Sequence, residues 1–302
     1  MFDGLIGRAY LCTAAAVLGV ALAAVAAAAE VTLAHGAHTL RATLDLAGGK
    51  SLADGVVLMV HGTMGHRDMD VMRHFRRLLN EKGHSTLAIN LALGLDRRDG
   101  MFDCAVPSTH RAADAKAELG AWFDWAARQG AKSIALLGFS RGGQQVAWYA
   151  AEQAHPNLSK VVLLAPIVSR DFSAGYAARF GRPLDPLLEK ARALARDGQP
   201  RALLKGVGFL NCDQTSVSAE SFLSYYDAAP ASELGATLPR IRVPTLVVVA
   251  GADQIVQDLD KRIAPLVDGK RLRMTVIAGA DHFLRDLYGE DAADAIDEFL
   301  RR

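Results

Sequence analysis

Residues 133–143 read Ser133-Ile134-Ala135-Leu136-Leu137-Gly138-Phe139-Ser140-Arg141-Gly142-Gly143. The run Ile134–Leu137 is apolar at every position, the mark of a strand buried on both faces. Residues 141–155 read as a helix, so Ser140 falls on a sharp strand-to-helix turn. Glycines two before and two after it remove side chains that would collide across such a turn, and Gly143 leaves room for helix–strand contact. The three-position match G-x-S-x-G arises by accident in roughly one chain in ten of this length. Its place between a buried strand and a helix is what makes Ser140 a candidate nucleophile. The helix that begins there also directs its first N–H groups toward developing negative charge.

The same alternation extends outward in both directions. Upstream, residues 30–46 read as two strands joined near Gly36, Val56–Val60 as a buried strand, 70–82 as a helix stopped by Gly83, and 86–91 as a strand. An irregular loop runs to Pro107, and Ser108 or Thr109 is expected to cap a helix ending at Gly130. Downstream come a strand at 161–165, one at 245–250, a helix around 258–266, a strand at 273–277 and a helix at 291–300. This order specifies an α/β fold, a doubly wound, mostly parallel sheet with helices on both faces. Between Pro166 and Val243 the rhythm breaks into short helical pieces interrupted by Gly181, Pro183, Pro186, Gly198-Gln199-Pro200 and Pro230. We therefore expect core residues 30–166 and 243–302, with a helical lid inserted at 167–242.

Composition bounds the function. The 302 residues are 51% hydrophobic and 22% charged, enough to build a large core and too apolar for a disordered chain. Lys and Arg number 34 against 33 Asp and Glu, so no net field recruits nucleic acid or anionic lipid. Residues 13–29 carry no charge and end in Ala27-Ala28-Ala29, which reads as a signal peptide over 1–29 and an exported mature chain. An uncleaved anchor is the alternative, although an Ala-rich run of this length spans a bilayer poorly. A lipoprotein reading of Cys12 is poor, because Cys12 precedes the apolar core. Export would leave Cys104 and Cys212 in an oxidising compartment, where a Cys104–Cys212 disulfide is expected and two unpaired thiols are the alternative.

A serine hydroxyl needs a neighbouring base. Of nine histidines, His282 in Gly279-Ala280-Asp281-His282-Phe283 lies just past the last strand, at the carboxyl edge where loops converge. The carboxylate that orients it should be Asp253, in Gly251-Ala252-Asp253 after the strand 245–250. Asp258, Asp171 and Asp281 are weaker candidates. Two backbone N–H donors must face the oxyanion: that of Arg141, and that of Thr63 or Met64 in His61-Gly62-Thr63-Met64-Gly65. His61 reads as a structural residue holding this loop. His61 with His66 lacks the further ligands a zinc site needs, so no metal is expected. Gly49-Lys50-Ser51 lacks the first glycine of a phosphate loop, and Gly206-Val207-Gly208 the third of a dinucleotide fingerprint, so no cofactor is expected.

These motifs, taken with Val60-His61-Gly62-Thr63 and Pro244–Asp253, resemble the alpha/beta-hydrolase superfamily over nearly the whole mature chain. The resemblance implies a Ser140–Asp253–His282 triad and a lid between the sixth and seventh strands. It departs from haloalkane dehalogenases, whose nucleophile is Asp, and from dienelactone hydrolases, whose nucleophile is Cys. The double glycine after Arg141 is similar to prolyl-oligopeptidase-type peptidases, but no large accessory domain is present. The superfold hosts many reactions. The expected one is hydrolysis of an ester-like bond in a small acyl substrate; a serine peptidase, or a binding protein that has lost catalysis, are the alternatives. Phe172, Tyr176, Phe180, Phe209, Phe222, Tyr225 and Tyr226 make the inserted region aromatic, as a substrate pocket or as packing against the sheet.

Overall fold

A computed structural model of the chain describes residues 28–168, 172–227 and 233–302. Its first half runs β1 (Ala29–His35), β2 (His38–Asp45), β3 (Val56–Val60), α1 (Asp70–Glu81), β4 (Thr86–Asn90) and α2 (Ala112–Arg128). Then follow β5 (Ile134–Phe139), α3 (Arg141–Glu152) and β6 (Leu158–Leu164). The segment after β6 holds α4 (Phe172–Phe180), α5 (Asp185–Arg196), β7 (Leu203–Phe209), β8 (Cys212–Ser218), α6 (Ala219–Tyr226) and α7 (Leu234–Thr237). The chain finishes with β9 (Thr245–Ala250), α8 (Leu259–Ile263), β10 (Leu272–Ile277) and α9 (Leu287–Arg301).

Eight strands form one sheet in the order β1-β2-β4-β3-β5-β6-β9-β10. Only β2 runs against its neighbours β1 and β4; the other pairings are parallel. The uninterrupted apolar run of β3 serves two faces at once. Val56, Leu58 and Val60 join the core beneath α2 and α3, while Val57 and Met59 meet the opposite layer, with Phe75 and Leu79 of α1 and Ile296 and Phe299 of α9. A strand buried on both sides cannot alternate with polar residues, which is why the central strands read as solid hydrophobic blocks. All the parallel strands end at one edge, and the loops leaving that edge carry the polar residues singled out by the sequence.

Two expectations need correction. Neither Ser108 nor Thr109 caps α2: its first turn is closed by Asp114, whose carboxylate accepts the N–H of Arg111 at 2.7 Å. Ser108 is instead an added strand partner, its N–H donating to Ser216 O (2.8 Å) while its carbonyl accepts from Ser218 N (3.0 Å). The segment between β6 and β9 is also not wholly helical, because β7 and β8 form an antiparallel hairpin. Its turn, Leu210-Asn211, carries a leucine at φ 54°, a residue with no turn propensity that hid the hairpin from the sequence. The aromatics of this segment pack on one another: Phe222 lies 4.9 Å from Tyr226, and Phe209 5.3 Å from Tyr225, ring centre to ring centre. Phe209 and Phe222 are fully buried in one core with residues of the sheet and α2, and His110 meets Phe209 at 6.0 Å and Tyr225 at 5.4 Å, so these rings pack the segment onto the rest of the fold.

The predicted signal peptide lies outside the described residues except for its last two, and Ala29 opens β1. Cys12 and Asp171 fall outside as well, as does the side chain of Phe172. Among the described residues no helix is long and apolar enough to cross a membrane.

Candidate active site

Ser140 sits between β5 and α3 with φ 54° and ψ −119°, a conformation that costs an L-residue about 1–3 kcal/mol. The turn is held from three sides. Ser140 N–H donates to Leu164 O at 2.9 Å, extending the ladder with β6, and its carbonyl accepts from Gly143 N (2.9 Å) and Ile167 N (3.2 Å). The flanking glycines are required by contact. A Cβ on Gly138 would lie 2.3 Å from Gly142 O, and one on Gly142 would lie 2.4 Å from Val60 O and 2.5 Å from His61 O. The helix can begin this close to β3 only because both positions lack a side chain.

The structure brings Ser140, His282 and Asp253 into one line. His282 Nε2 is 3.0 Å from Ser140 Oγ, and His282 Nδ1 is 2.6 Å from Asp253 Oδ2. All three are buried. The loops that carry them are tied together, since Gly251 N donates to Ile277 O (2.9 Å) and Ala252 N to Ala280 O (2.8 Å). Burial alone would raise the Asp253 carboxyl. The hydrogen bond from His282 and the N–H groups of Val256 and Ile255, at 2.8 and 2.7 Å from Oδ1, outweigh it and hold the group below its ordinary value. An ionised Asp253 can only accept, so His282 Nδ1 carries the ring proton and Nε2 is left to accept from the Ser140 hydroxyl.

The competing carboxylates lie elsewhere. Asp258 is exposed and bound to Lys261 at 2.8 Å, and Asp281 accepts from Phe283 N (3.1 Å) and pairs with Arg285 (3.3 Å). The His282 ring is braced by Phe139 and Phe283, with centroids 5.1 and 5.4 Å away. A cleft of about 710 Å³, lined by Met69, Met101 and Phe283 together with charged residues such as Asp68, Arg73 and Arg285, opens on the Phe283 side of this ring pair.

The loop after β3 approaches the serine closely: a Cβ on Gly62 would lie 3.3 Å from Ser140 Cβ. Thr63 and Met64 follow, Met64 with φ 55°. Among the described residues the N–H groups of Thr63, Met64 and Arg141 have no acceptor. His61 holds this loop from inside. Its Nδ1–H donates to Gly62 O (2.9 Å), and its Nε2 accepts from Leu91 N (3.2 Å) and the Arg98 guanidinium (3.0 Å). Burial first, then the nearby Arg98 charge, push the imidazole down to about 3, so it stays neutral. Arg98 is fixed in turn by Leu91 O and Gly100 O, both at 2.6 Å, and Glu118 accepts Ala92 N at 2.6 Å. Arg98 and Glu118 carry no sequence signal; they are ordinary charged residues in a loop and on a helix until the fold buries them.

Cys104 and Cys212 are joined in a disulfide, with Cα atoms 5.5 Å apart. The bond ties the loop between β4 and α2 to the tip of the β7–β8 hairpin. Among the described residues no group of three or more His, Cys, Asp or Glu could hold a metal ion.

The profile described as "Alpha/beta hydrolase family" matches residues 57–298. No curated protein matches the chain in sequence. Among solved structures the chain is similar to Est1E from Butyrivibrio proteoclasticus, at 17% identity, TM-score 0.65, with 90% of this chain and 97% of that one covered. It is similar to the monoacylglycerol lipase of Paleococcus ferrophilus (19% identity, TM-score 0.60, 86% and 98% covered). It is also similar to the Pyrococcus furiosus esterase Pf2001 (15% identity, TM-score 0.56, 91% and 92% covered). Identities this low speak to the fold alone, but the family profile spans all the strands from β3 onward and every residue of the site. On that match, and on the sheet order and strand-edge site that accompany it, the chain belongs to the alpha/beta hydrolase family.

Proposed function

We propose that the protein is an exported serine hydrolase that cleaves an ester-like bond through an acyl-enzyme. The observation that carries this reading is the continuous line from Ser140 Oγ to His282 Nε2 (3.0 Å) and from His282 Nδ1 to Asp253 (2.6 Å). In the first half-reaction Ser140 Oγ attacks the carbonyl carbon as His282 Nε2 takes the hydroxyl proton. Asp253 keeps Nδ1 protonated and stabilises the imidazolium. The N–H of Arg141 and that of Thr63 or Met64 hold the oxyanion. Collapse breaks the bond to the leaving alcohol, which receives the proton from His282. Water then gives its proton to Nε2 and attacks the acyl group, and collapse returns free Ser140 and the carboxylic acid.

Ester chemistry is favoured over amide by the esterase and lipase among the structural neighbours. The cleft beside Phe283 offers space for part of the substrate, and the segment between β6 and β9 is read as the lid. The Cys104–Cys212 bond supports an oxidising destination. A panel of chromogenic esters and aminoacyl amides tests the reading. Ester turnover should exceed amide turnover at equal concentration; the reverse order would favour a peptidase.

A further inference from the structure

Arg141 is the residue after the nucleophile, and among the described residues its half-buried side chain is held at the site without a counter-ion. Its Nε donates to Thr63 Oγ1 at 3.1 Å, and its guanidinium carbon stands 5.6 Å from the centre of the Tyr225 ring. Those contacts use one of its five N–H donors and leave the Nη1 and Nη2 edge of the fork unused among the described residues. Among the described residues Arg141 appears in no ion pair, and the groups that bear most on its charge, Tyr225 and Tyr226, are neutral phenols. Partial burial pulls the guanidinium below its ordinary value, the expected direction for a cation that has lost part of its water.

The two arginines that are fully buried, Arg67 and Arg98, are treated differently from the half-buried Arg141. Arg67 pairs with Glu30, Asp68 and Asp99, and Arg98 is bonded to two carbonyls. A partly desolvated cation gains from an anionic partner, and a planar fork with a free edge matches a carboxylate. The fork is moreover fixed in place, by a hydroxyl on the very loop that approaches Ser140 and by an aromatic face.

We propose that Arg141 is a subsite for a carboxylate on the substrate, so that the ester cleaved carries an anionic group within a few bonds of its scissile carbonyl. This rests on the hydrolase reading above and names its substrate class: monoesters of dicarboxylic acids, or esters of hydroxy acids. One residue then performs two tasks, its N–H facing the oxyanion and its side chain the substrate's own charge.

The test compares charged and neutral esters of matched length: monomethyl succinate, glutarate and adipate against methyl butanoate, pentanoate and hexanoate, and 4-acetoxybutanoate against butyl acetate. In the wild type, kcat/KM for at least one anionic ester should exceed its neutral partner by about 10- to 100-fold, the range for hydrogen bonds to a charged group. In Arg141→Gln that ratio should fall to near one, with Arg141→Lys between them; any general effect of the substitution cancels in the ratio. An equal ratio in wild type and Arg141→Gln for every pair overturns the proposal. A calorimetric arm is independent of turnover. Ser140→Ala should bind the same monoesters at least about 10-fold more tightly than Ser140→Ala/Arg141→Gln, and equal binding overturns the proposal. If the wild type hydrolyses none of the esters, the hydrolase reading fails while the calorimetric comparison still decides the role of Arg141.

Discussion

Asn211, at the tip of the β7–β8 hairpin, donates through Nδ2 to the carbonyl of Thr63, 3.2 Å away. The two residues are 148 positions apart, yet this contact sets one peptide of the loop that faces Ser140. Neighbouring bonds reinforce it. Cys212, next to Asn211, is joined to Cys104, and Ser108 pairs with the far end of β8. The loop is thus clamped from below by His61 and from above by the hairpin.

Breaking the disulfide should therefore lower both stability and turnover. The sequence separation of 108 puts the chain-entropy contribution at about 4–5 kcal/mol. Urea unfolding of the Cys104→Ser/Cys212→Ser variant should show a stability loss approaching this size, and kcat/KM at low urea should fall as the hairpin loosens its hold on Thr63. An unchanged midpoint would show that the hairpin is anchored without the bond.

Asp253→Asn should preserve the fold and remove the function. An amide no longer requires Nδ1 to carry the proton, so the imidazole can settle in the tautomer whose Nε2 donates and cannot accept from Ser140. The expected loss in kcat is about 10³- to 10⁴-fold, with the melting temperature within a few degrees of wild type. A loss below about tenfold would mean that another group orients His282.

Gly142→Ala tests the turn. The added methyl carbon would lie 2.4 Å from Val60 O, a backbone atom that cannot swing away. Either the helix backs off β3 or the loop after β3 moves, and both displace Ser140 from the oxyanion donors. The variant should melt several degrees lower, as expected for a cost of about 1–3 kcal/mol, and lose most of its activity. Wild-type behaviour would show the junction to be looser than these distances imply.

Glu118 makes stability depend on pH. Burial, the largest cause, raises its carboxyl from 4.5 to about 7 despite the N–H of Ala92 and the charge of Arg98. A raised value means that the folded state holds the proton more tightly than the unfolded state. The associated stability is present in full below about pH 4.5 and is lost as pH climbs toward 7, on the order of 3 kcal/mol for the whole shift. Glu118→Gln keeps an acceptor for Ala92 and cannot ionise. Its stability relative to wild type should rise between pH 4.5 and 7 and level off above; a difference independent of pH would show that Glu118 titrates normally.

Much of this is legible in the amino-acid sequence. Solid apolar blocks such as Val56–Val60 and Thr245–Ala250 announce two-faced burial, and residues placed just beyond such blocks must share one sheet edge. That logic points to Ser140, Asp253 and His282, which the fold brings within hydrogen-bond reach in the order Ser140, His282, Asp253. What escaped it depends on pairings that leave no local mark. The hairpin of β7 and β8 turns on Leu210-Asn211, its strands contain Gly206 and Gly208, and its third partner, Ser108, comes from almost a hundred residues upstream. The support beneath His61 escaped as well, because Arg98 and Glu118 acquire their roles only when burial strips them of water.

The most direct measurement is covalent labelling with a fluorophosphonate probe, followed by peptide mass spectrometry. A hydroxyl activated by His282 should take the phosphonyl group on Ser140 in the wild type, and Ser140→Ala should take none while remaining folded by circular dichroism. Equal labelling of both proteins, or of neither, would contradict the assignment of Ser140 as nucleophile.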